Sequence, residues 1–392
     1  MNLWGSRARG TSSPDETTAE SGQVNRRAFL TTTGAAAALA GAAVVVPSSV
    51  AEAAEPAAEG RKDKRPLIVG HRGASGYRPE HTLASYELAA RMGADFMEQD
   101  LVPTKDGHLV CRHEPEIGGT TDVADHPEFA SRKRTKTIDD TPYTGWFTED
   151  FTLAELRTLR ANERVPKERP HNTLYNGRFQ IPTFEEVLEL RTRLSKELGR
   201  EVGIYPELKH STYFRSIGLP LEQRFLDIFN RSGLNRHGAP VFVQSFEVGN
   251  LRWLRSRLKV RLVQLTDATG GPADLKAAGK PRTWADITSA AGLREVATYA
   301  DAVGPATTQV VPVTPDGGLG NPTSLVSDAH AAGLLVHPYT FRNENAFLPP
   351  KLRRPGGDDD YGDVFALYDA HRKAGVDGFF TDNTDTAIIA LR

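Results

Sequence analysis

From Pro66 onward the chain alternates between two hydrophobic patterns. Short apolar runs rich in β-branched and aromatic residues recur at Leu67–Val69, Phe96–Leu101, Gly203–Leu208, Val241–Val243, Arg261–Leu265, Ala302–Gly304, Leu334–His337 and Gly378–Phe380. Between them lie stretches with apolar positions at helical spacing: Thr82–Met92, Thr183–Leu198, Leu221–Arg231, Val248–Leu258, Ala291–Ala300 and Asp363–Ala374. Strands separated by helices predict a parallel sheet, and eight such runs within residues 66–392 predict a closed (β/α)₈ TIM barrel rather than an open sheet.

Two places break the alternation. Thr104-Lys105-Asp106-Gly107 is a turn between two β-like runs, so Leu109–His113 is expected to fold back as a hairpin arm after strand 2. Residues 114–180 are polar, Pro-dotted and too long for a plain connection. An insertion at that end of a barrel strand is expected to cover or shape a site.

The amino terminus reads differently. Asn25-Arg26-Arg27-Ala28-Phe29-Leu30 precedes a modest Ala-rich apolar segment, Gly34–Val46, and then small residues up to Ala54. That order predicts a twin-arginine-type signal peptide over residues 1–54, too short and too weakly apolar for a stable membrane span. The stretch 55–65, rich in Ala, Pro and charge, reads as a flexible linker to the domain at 66–392. The expected location is therefore periplasmic, secreted or at a bacterial cell surface.

Composition adds exclusions. With 39% hydrophobic and 25% charged residues, the chain has enough apolar content for a full core. A formal net charge of −2 gives no global field for nucleic acid, and no nucleic-acid partner is expected. Cys111 is the only cysteine, which excludes an intrachain disulfide and a Cys-based zinc site.

The candidate chemistry lies at the strand ends, where a barrel gathers its reactive groups. Glu98 and Asp100 are two apart on one predicted strand and so face the same side, about 6 to 7 Å apart. Glu207 and Lys209 repeat that spacing on another strand, His71 and Arg72 end the first, and His113 ends the hairpin arm. Burying unpaired carboxylates costs several kcal/mol, so a compensating cation is expected. Glu98, Asp100 and Glu207 offer only hard oxygen ligands, which suits Ca²⁺ or Mg²⁺. With a divalent cation, Arg72 and Lys209, three carboxylates leave a charge of +1, which one phosphodiester anion brings to zero. Phosphoryl chemistry follows, with two histidines available as general acid and base. Farther out, Gln244 and His337 are candidate substrate contacts, with core packing or strand capping as the alternative for each.

The ordered set His71-Arg72-Gly73, Pro79-Glu80-His81-Thr82, Glu98-Gln99-Asp100, Thr104-Lys105-Asp106-Gly107, His113, Pro206-Glu207-Leu208-Lys209, Val336-His337-Pro338-Tyr339-Thr340 and Phe380-Thr381-Asp382 resembles the glycerophosphodiester phosphodiesterases, most closely the periplasmic bacterial type. The resemblance runs from Leu67 to the carboxyl terminus. It implies hydrolysis of small-molecule glycerophosphodiesters to sn-glycerol 3-phosphate and an alcohol. It implies His71 and His113 as the acid–base pair, Arg72 and Lys209 as phosphate ligands, and Glu98, Asp100 and Glu207 as ligands of a metal, Ca²⁺ by preference. His81 stands where many members have Asn, and Glu114 where many have Asp; neither position is assigned a role at this point. The glycines of the first strand–helix turn, Gly70, Gly73 and Gly76, are expected to let the chain approach a bound phosphate. The alternatives are a related barrel phosphodiesterase that acts on lysophospholipids, with a cyclic phosphate as product, and an exported phosphodiester-binding protein without turnover. The sequence specifies no oligomeric state.

Overall fold

The computed structural model describes residues 65–392; the expected leader at 1–54 and nearly all of the linker lie outside the described residues. In chain order the strands are β1 (Leu67–Gly70), β2 (Phe96–Pro103), β3 (Leu109–Cys111), β4 (Arg134–Ile138), β5 (Thr141–Gly145), β6 (Gly203–Leu208), β7 (Phe242–Ser245), β8 (Arg261–Thr266), β9 (Ala302–Pro305), β10 (Leu335–Val336) and β11 (Gly378–Thr381).

Eight of these run parallel around a nearly closed barrel, in the order β10-β9-β8-β7-β6-β2-β1-β11. They are the eight runs that the hydrophobic pattern predicts. The gap between β10 and β11 lacks a regular ladder because β10 is only two residues long and Pro338, just beyond it, has no N–H to donate. Main-chain bonds bridge it instead: Asp377 N–H donates to Val336 C=O at 2.8 Å, Phe380 to Pro338 at 3.1 Å and Phe341 to Phe380 at 2.8 Å. Strand β3 pairs antiparallel with the end of β2, Leu101 opposite Cys111, as the turn signal predicts.

The helices follow the expected segments to within a few residues. Helix Leu83–Met92 begins where the Thr82 side chain accepts the Ser85 N–H, and ends at Gly93 with φ of 108°. Helix Phe184–Glu197 starts in a capping box between Thr183 and Glu186. The insertion builds structure of its own. β4 and β5 form a hairpin turned by Asp139 and Asp140, both with positive φ as a type I′ turn requires. Despite its polar composition it buries Phe129, Trp146, Phe151, Leu156 and Leu159 in the main hydrophobic core, which fixes it to the barrel.

Inside the barrel Val69, Phe96, Tyr205, Phe242, Val263, Ala302 and Phe380 form a separate apolar layer, one from each of seven strands. The Tyr205 ring stacks on Phe242 at 4.9 Å and meets Phe380 edge-on at 4.8 Å. Side chains two residues apart along a strand point the same way. The next inward positions are therefore His71, Glu98, Glu207, Gln244, Leu265, Gly304 and Asp382. An apolar floor thus carries a polar layer at the carboxyl-terminal mouth.

Candidate active site

That polar layer walls a cavity of about 310 Å³ lined by His71, Arg72, Glu98, Asp100, His113, Glu207 and Gln244, with Phe246, Leu265, Tyr339 and Phe347 on its apolar side. Parallel register sets Asp100 beside Glu207 and Glu207 beside Gln244. The predicted carboxylates are all buried: Glu98 is 2% exposed, Asp100 1% and Glu207 5%.

Arg72 turns the chain at the end of β1 with φ of 58°, a left-handed conformation unusual for a non-glycine residue. That turn aims its own N–H at Glu98 Oε2, 2.6 Å away. Its guanidinium reaches Glu80 at 2.9 Å and lies 3.6 Å from Asp100. Lys209 Nζ sits 3.0 Å from Glu207 and 3.3 Å from His113 Nε2. Gln244 donates to Glu98 Oε1 at 3.3 Å, so it serves the carboxylate cluster while it lines the cavity.

Each histidine is backed by a carboxylate. His71 Nδ1 pairs with Asp382 Oδ1 at 2.6 Å, and His113 Nδ1 with Glu114 Oε1 at 2.5 Å. Burial, followed by the positive charge of Arg72, pushes His71 down to about 4 and His113 to about 3, so both are neutral at pH 7. In the neutral form Nδ1–H donates to the carboxylate and Nε2 keeps its lone pair.

The carboxylates are pulled in different directions. Burial, reinforced by Asp100, raises Glu98 well above the ordinary carboxylate range, and burial raises Glu207 to about 8. Burial acts on Asp100 too, but Lys209, His113 and His81 outweigh it and hold this group well below the usual range. Asp100 Oδ1 is buried with no hydrogen-bond partner among the described residues. Donor atoms of His81, Glu98 and Asp100 all lie within 4.8 Å of one another. An orphaned carboxylate oxygen beside two carboxyls whose charged form is disfavoured by burial is a donor set that fits a hard divalent cation.

A model of the glycerophosphoryl diester phosphodiesterase family matches residues 71–386. The chain belongs to this family. It is 37% identical over 348 residues to glycerophosphodiester phosphodiesterase GDPD6 of Arabidopsis thaliana, covering 85% of this chain and 88% of that one. It is 32% identical over 348 residues to a glycerophosphodiester phosphodiesterase of Haemophilus influenzae, covering 83% and 90%. Among solved structures, a Silicibacter pomeroyi protein superposes with TM-score 0.58 at 19% identity, over 84% of this chain and 94% of that one. An Oleispira antarctica phosphodiesterase, solved in complex with sn-glycerol-3-phosphate, superposes with TM-score 0.54 at 19% identity, over 83% and 96%. At that identity the superpositions establish the barrel.

Two sequence-based expectations need correction in this phosphodiesterase. His337 does not line the cavity. It is fully buried against the apolar floor, with Nδ1 2.8 Å from the Tyr205 hydroxyl and its ring 5.1 Å from Phe242; the ring fills the space that Gly378 leaves at the start of β11, and Tyr339, two positions on, lines the cavity instead. The turn glycines do not make room for a phosphate either. A Cβ on Gly70 would meet Ala89 Cβ at 2.8 Å, one on Gly73 the Ser85 main chain at 2.5 Å, and one on Gly76 the Asn383 amide at 2.4 Å. They let the turn pack on the first helix and on the segment after β11.

Other residues of the site escaped sequence reasoning. Asp382 follows the last strand as His71 follows the first, and the same strand-end rule reaches it. Arg164 and Arg169, both in the insertion, carry no local signal; only the fold brings them to the site. The two departures from the family pattern also have places here: His81 Nε2 bonds Asp100 at 2.9 Å, and Glu114 backs His113.

Proposed function

We propose that the chain hydrolyses glycerophosphodiesters to sn-glycerol 3-phosphate and an alcohol, with His71 and His113 as the acid–base pair and a divalent cation held by Glu98, Asp100 and Glu207. The observation that carries this reading is the pair of histidines on the walls of one cavity, His71 buried and His113 half-buried, each with Nδ1 tied to a carboxylate and Nε2 left to exchange a proton. Binding alone would need only the cationic groups and the metal. The all-oxygen donor set favours Ca²⁺, with Mg²⁺ as the alternative. A cation bound there supplies positive charge against the phosphoryl oxygens.

The protein groups divide the remaining work. Arg72 Nε, buried without a hydrogen-bond partner among the described residues, is free to donate to an anionic oxygen. Lys209 adds a second positive charge beside His113. In the proposed route the 2-hydroxyl oxygen of glycerol bonds to phosphorus as the bond from phosphorus to the alcohol oxygen breaks. One histidine takes the hydroxyl proton on its Nε2; the other enters the step already protonated at Nε2, a state that the negative charge of the bound phosphodiester favours, and gives that proton to the departing oxygen. Water then opens the cyclic phosphate, losing a proton to the second histidine while the first returns its proton to the 2-hydroxyl oxygen. Trapping a cyclic glycerol phosphate supports this route, and inversion at phosphorus with solvent ¹⁸O incorporation rejects it.

The deciding assay sets glycerophosphocholine, glycerophosphoglycerol and lysophosphatidylcholine side by side, with and without chelator. The first two should be cleaved and the activity lost on chelation; full activity after stringent chelation would overturn the cation site. The lysolipid arm tests the alternative that the apolar wall of Phe246, Leu265 and Phe347 holds an acyl chain. His71→Ala and His113→Ala should each lower kcat by about 10²- to 10⁴-fold. Turnover retained in both would point to a different acid–base pair.

Export through a twin-arginine-type leader is part of the proposal and rests on Arg26-Arg27 and the small-residue stretch to Ala54. Amino-terminal sequencing of the mature protein tests it. Among the described residues no helix is long and apolar enough to cross a membrane.

A further inference from the structure

The carboxylates behind the two histidines share a detail of geometry. Each gives one oxygen to a histidine and the other to an arginine of the insertion. Asp382 offers Oδ1 to His71, while its Oδ2 takes Arg169 at 2.6 Å and Arg342 at 2.8 Å. Glu114 offers Oε1 to His113, while its Oε2 takes Arg164 at 2.5 Å. A carboxylate pinned at one oxygen cannot rotate, so the other stays aimed at the imidazole.

The arginines are themselves anchored. Arg164 forks onto both oxygens of Glu80 at 2.7 and 2.6 Å, and Glu80 in turn holds the Arg72 guanidinium. Arg169 is 8% exposed and also donates to Glu344 at 2.7 Å and to the Ser75 carbonyl at 2.9 Å. The two belong to one turn of chain, closed by a 2.9 Å hydrogen bond from Arg169 N–H to the Val165 carbonyl. The rigid planar fork of arginine suits this bridging, since it can satisfy two acceptors in fixed directions.

We infer that Arg164 and Arg169 are positioning residues: the turn 164–169 of the insertion fixes the ring orientation and tautomer of both histidines by holding Glu114 and Asp382. The insertion is then part of the catalytic apparatus and more than a cover over it. This rests on the reading of His71 and His113 as the acid–base pair. The nearest competing account is that both arginines only neutralise buried carboxylates, a structural role.

The test uses full-length Arg164→Met and Arg169→Met, with Arg164→Lys and Arg169→Lys as variants that keep the charge and lose the fork. Kinetics are measured on glycerophosphocholine and on the p-nitrophenyl ester of glycerol phosphate, whose leaving group departs without a proton. Each Met variant should lose about 10- to 100-fold in kcat on glycerophosphocholine with KM changed less than about threefold. One of the two should recover on the nitrophenyl ester, which marks its histidine as the general acid, while the other stays slow on both. The Lys variants should recover part of the loss. In ¹H–¹⁵N spectra the affected histidine should change from a single Nδ1–H tautomer to a mixture, a readout independent of turnover. Equal losses on both substrates in both variants, or kcat within twofold of the unmodified protein with unchanged ring-nitrogen shifts, would overturn the inference. If His71→Ala and His113→Ala themselves stay active, the acid–base reading is what fails, and the ring-nitrogen spectra still decide whether the arginines position the rings.

Discussion

His81 joins Asp100 to the first helix: its Nε2 lies 2.9 Å from Asp100 Oδ2 and its Nδ1 2.7 Å from the Tyr86 hydroxyl. With both ring nitrogens engaged, the imidazole orients the carboxylate for a cation and does not need to ligate one itself. His81→Ala should weaken Ca²⁺ binding by about 10- to 100-fold, measured by titration calorimetry, and His81→Asn should lose less because an amide can still donate. Unchanged affinity in His81→Ala would remove His81 from the cation site.

Proton release should accompany cation binding. Glu207, raised by burial to about 8, holds a proton at pH 7 in the cation-free protein, and burial and Asp100 push Glu98 in the same direction. A cation requires the ionised form, so binding should expel about one proton from Glu207 and tighten as pH rises to about 8. Calorimetry in two buffers of different ionisation enthalpy measures this. A heat of binding independent of buffer would contradict it.

His337 should make folding sensitive to mild acid. Burial, only partly opposed by Asp377, lowers it to about 4, and its Nε2 has no acceptor among the described residues if it gains a proton. As pH falls through about 6.5 the unfolded chain takes up the proton first. The stability present above that pH is therefore lost progressively down to about 4. Between pH 7 and 5 the loss from this group is about 2 kcal/mol. Urea unfolding at both pH values should show a drop smaller by about that amount in His337→Asn; an equal drop would mean that the ring is not the source.

Gly73 is required by space as well as by backbone conformation. It has φ of 88°, and an added Cβ would lie 2.5 Å from the Ser85 main chain. Gly73→Ala should cost about 2 to 4 kcal/mol in chemical denaturation, whereas Gly119→Ala, with nothing within 4 Å of its Cβ, should cost far less. Similar small losses in both would show that the turn can relax.

Much of this phosphodiesterase is legible in one dimension. The eight strands could be read because each is a short apolar run between turn signals, and a strand buried on both faces has no other composition open to it. Glu98, Asp100, Glu207 and His71 could be read because period-two geometry and the strand-end rule are local. His337 was misplaced by the same rule, since sequence does not say that its ring fills the space Gly378 leaves. The turn glycines look alike whether they face a ligand or a helix; only the neighbours of the missing Cβ distinguish the two.

What tertiary structure alone decided is the support behind the chemistry. Asp382 meets His71 from the far end of the chain, 311 residues away, and Arg169 reaches Asp382 from a polar insertion in which nothing distinguishes it from its neighbours. The physical reason is the range of the interactions. Hydrophobic period and turn chemistry are properties of a few consecutive residues, and the sequence determines them by itself. A hydrogen bond between side chains depends on where two distant backbones pass, and closure of the barrel sets that.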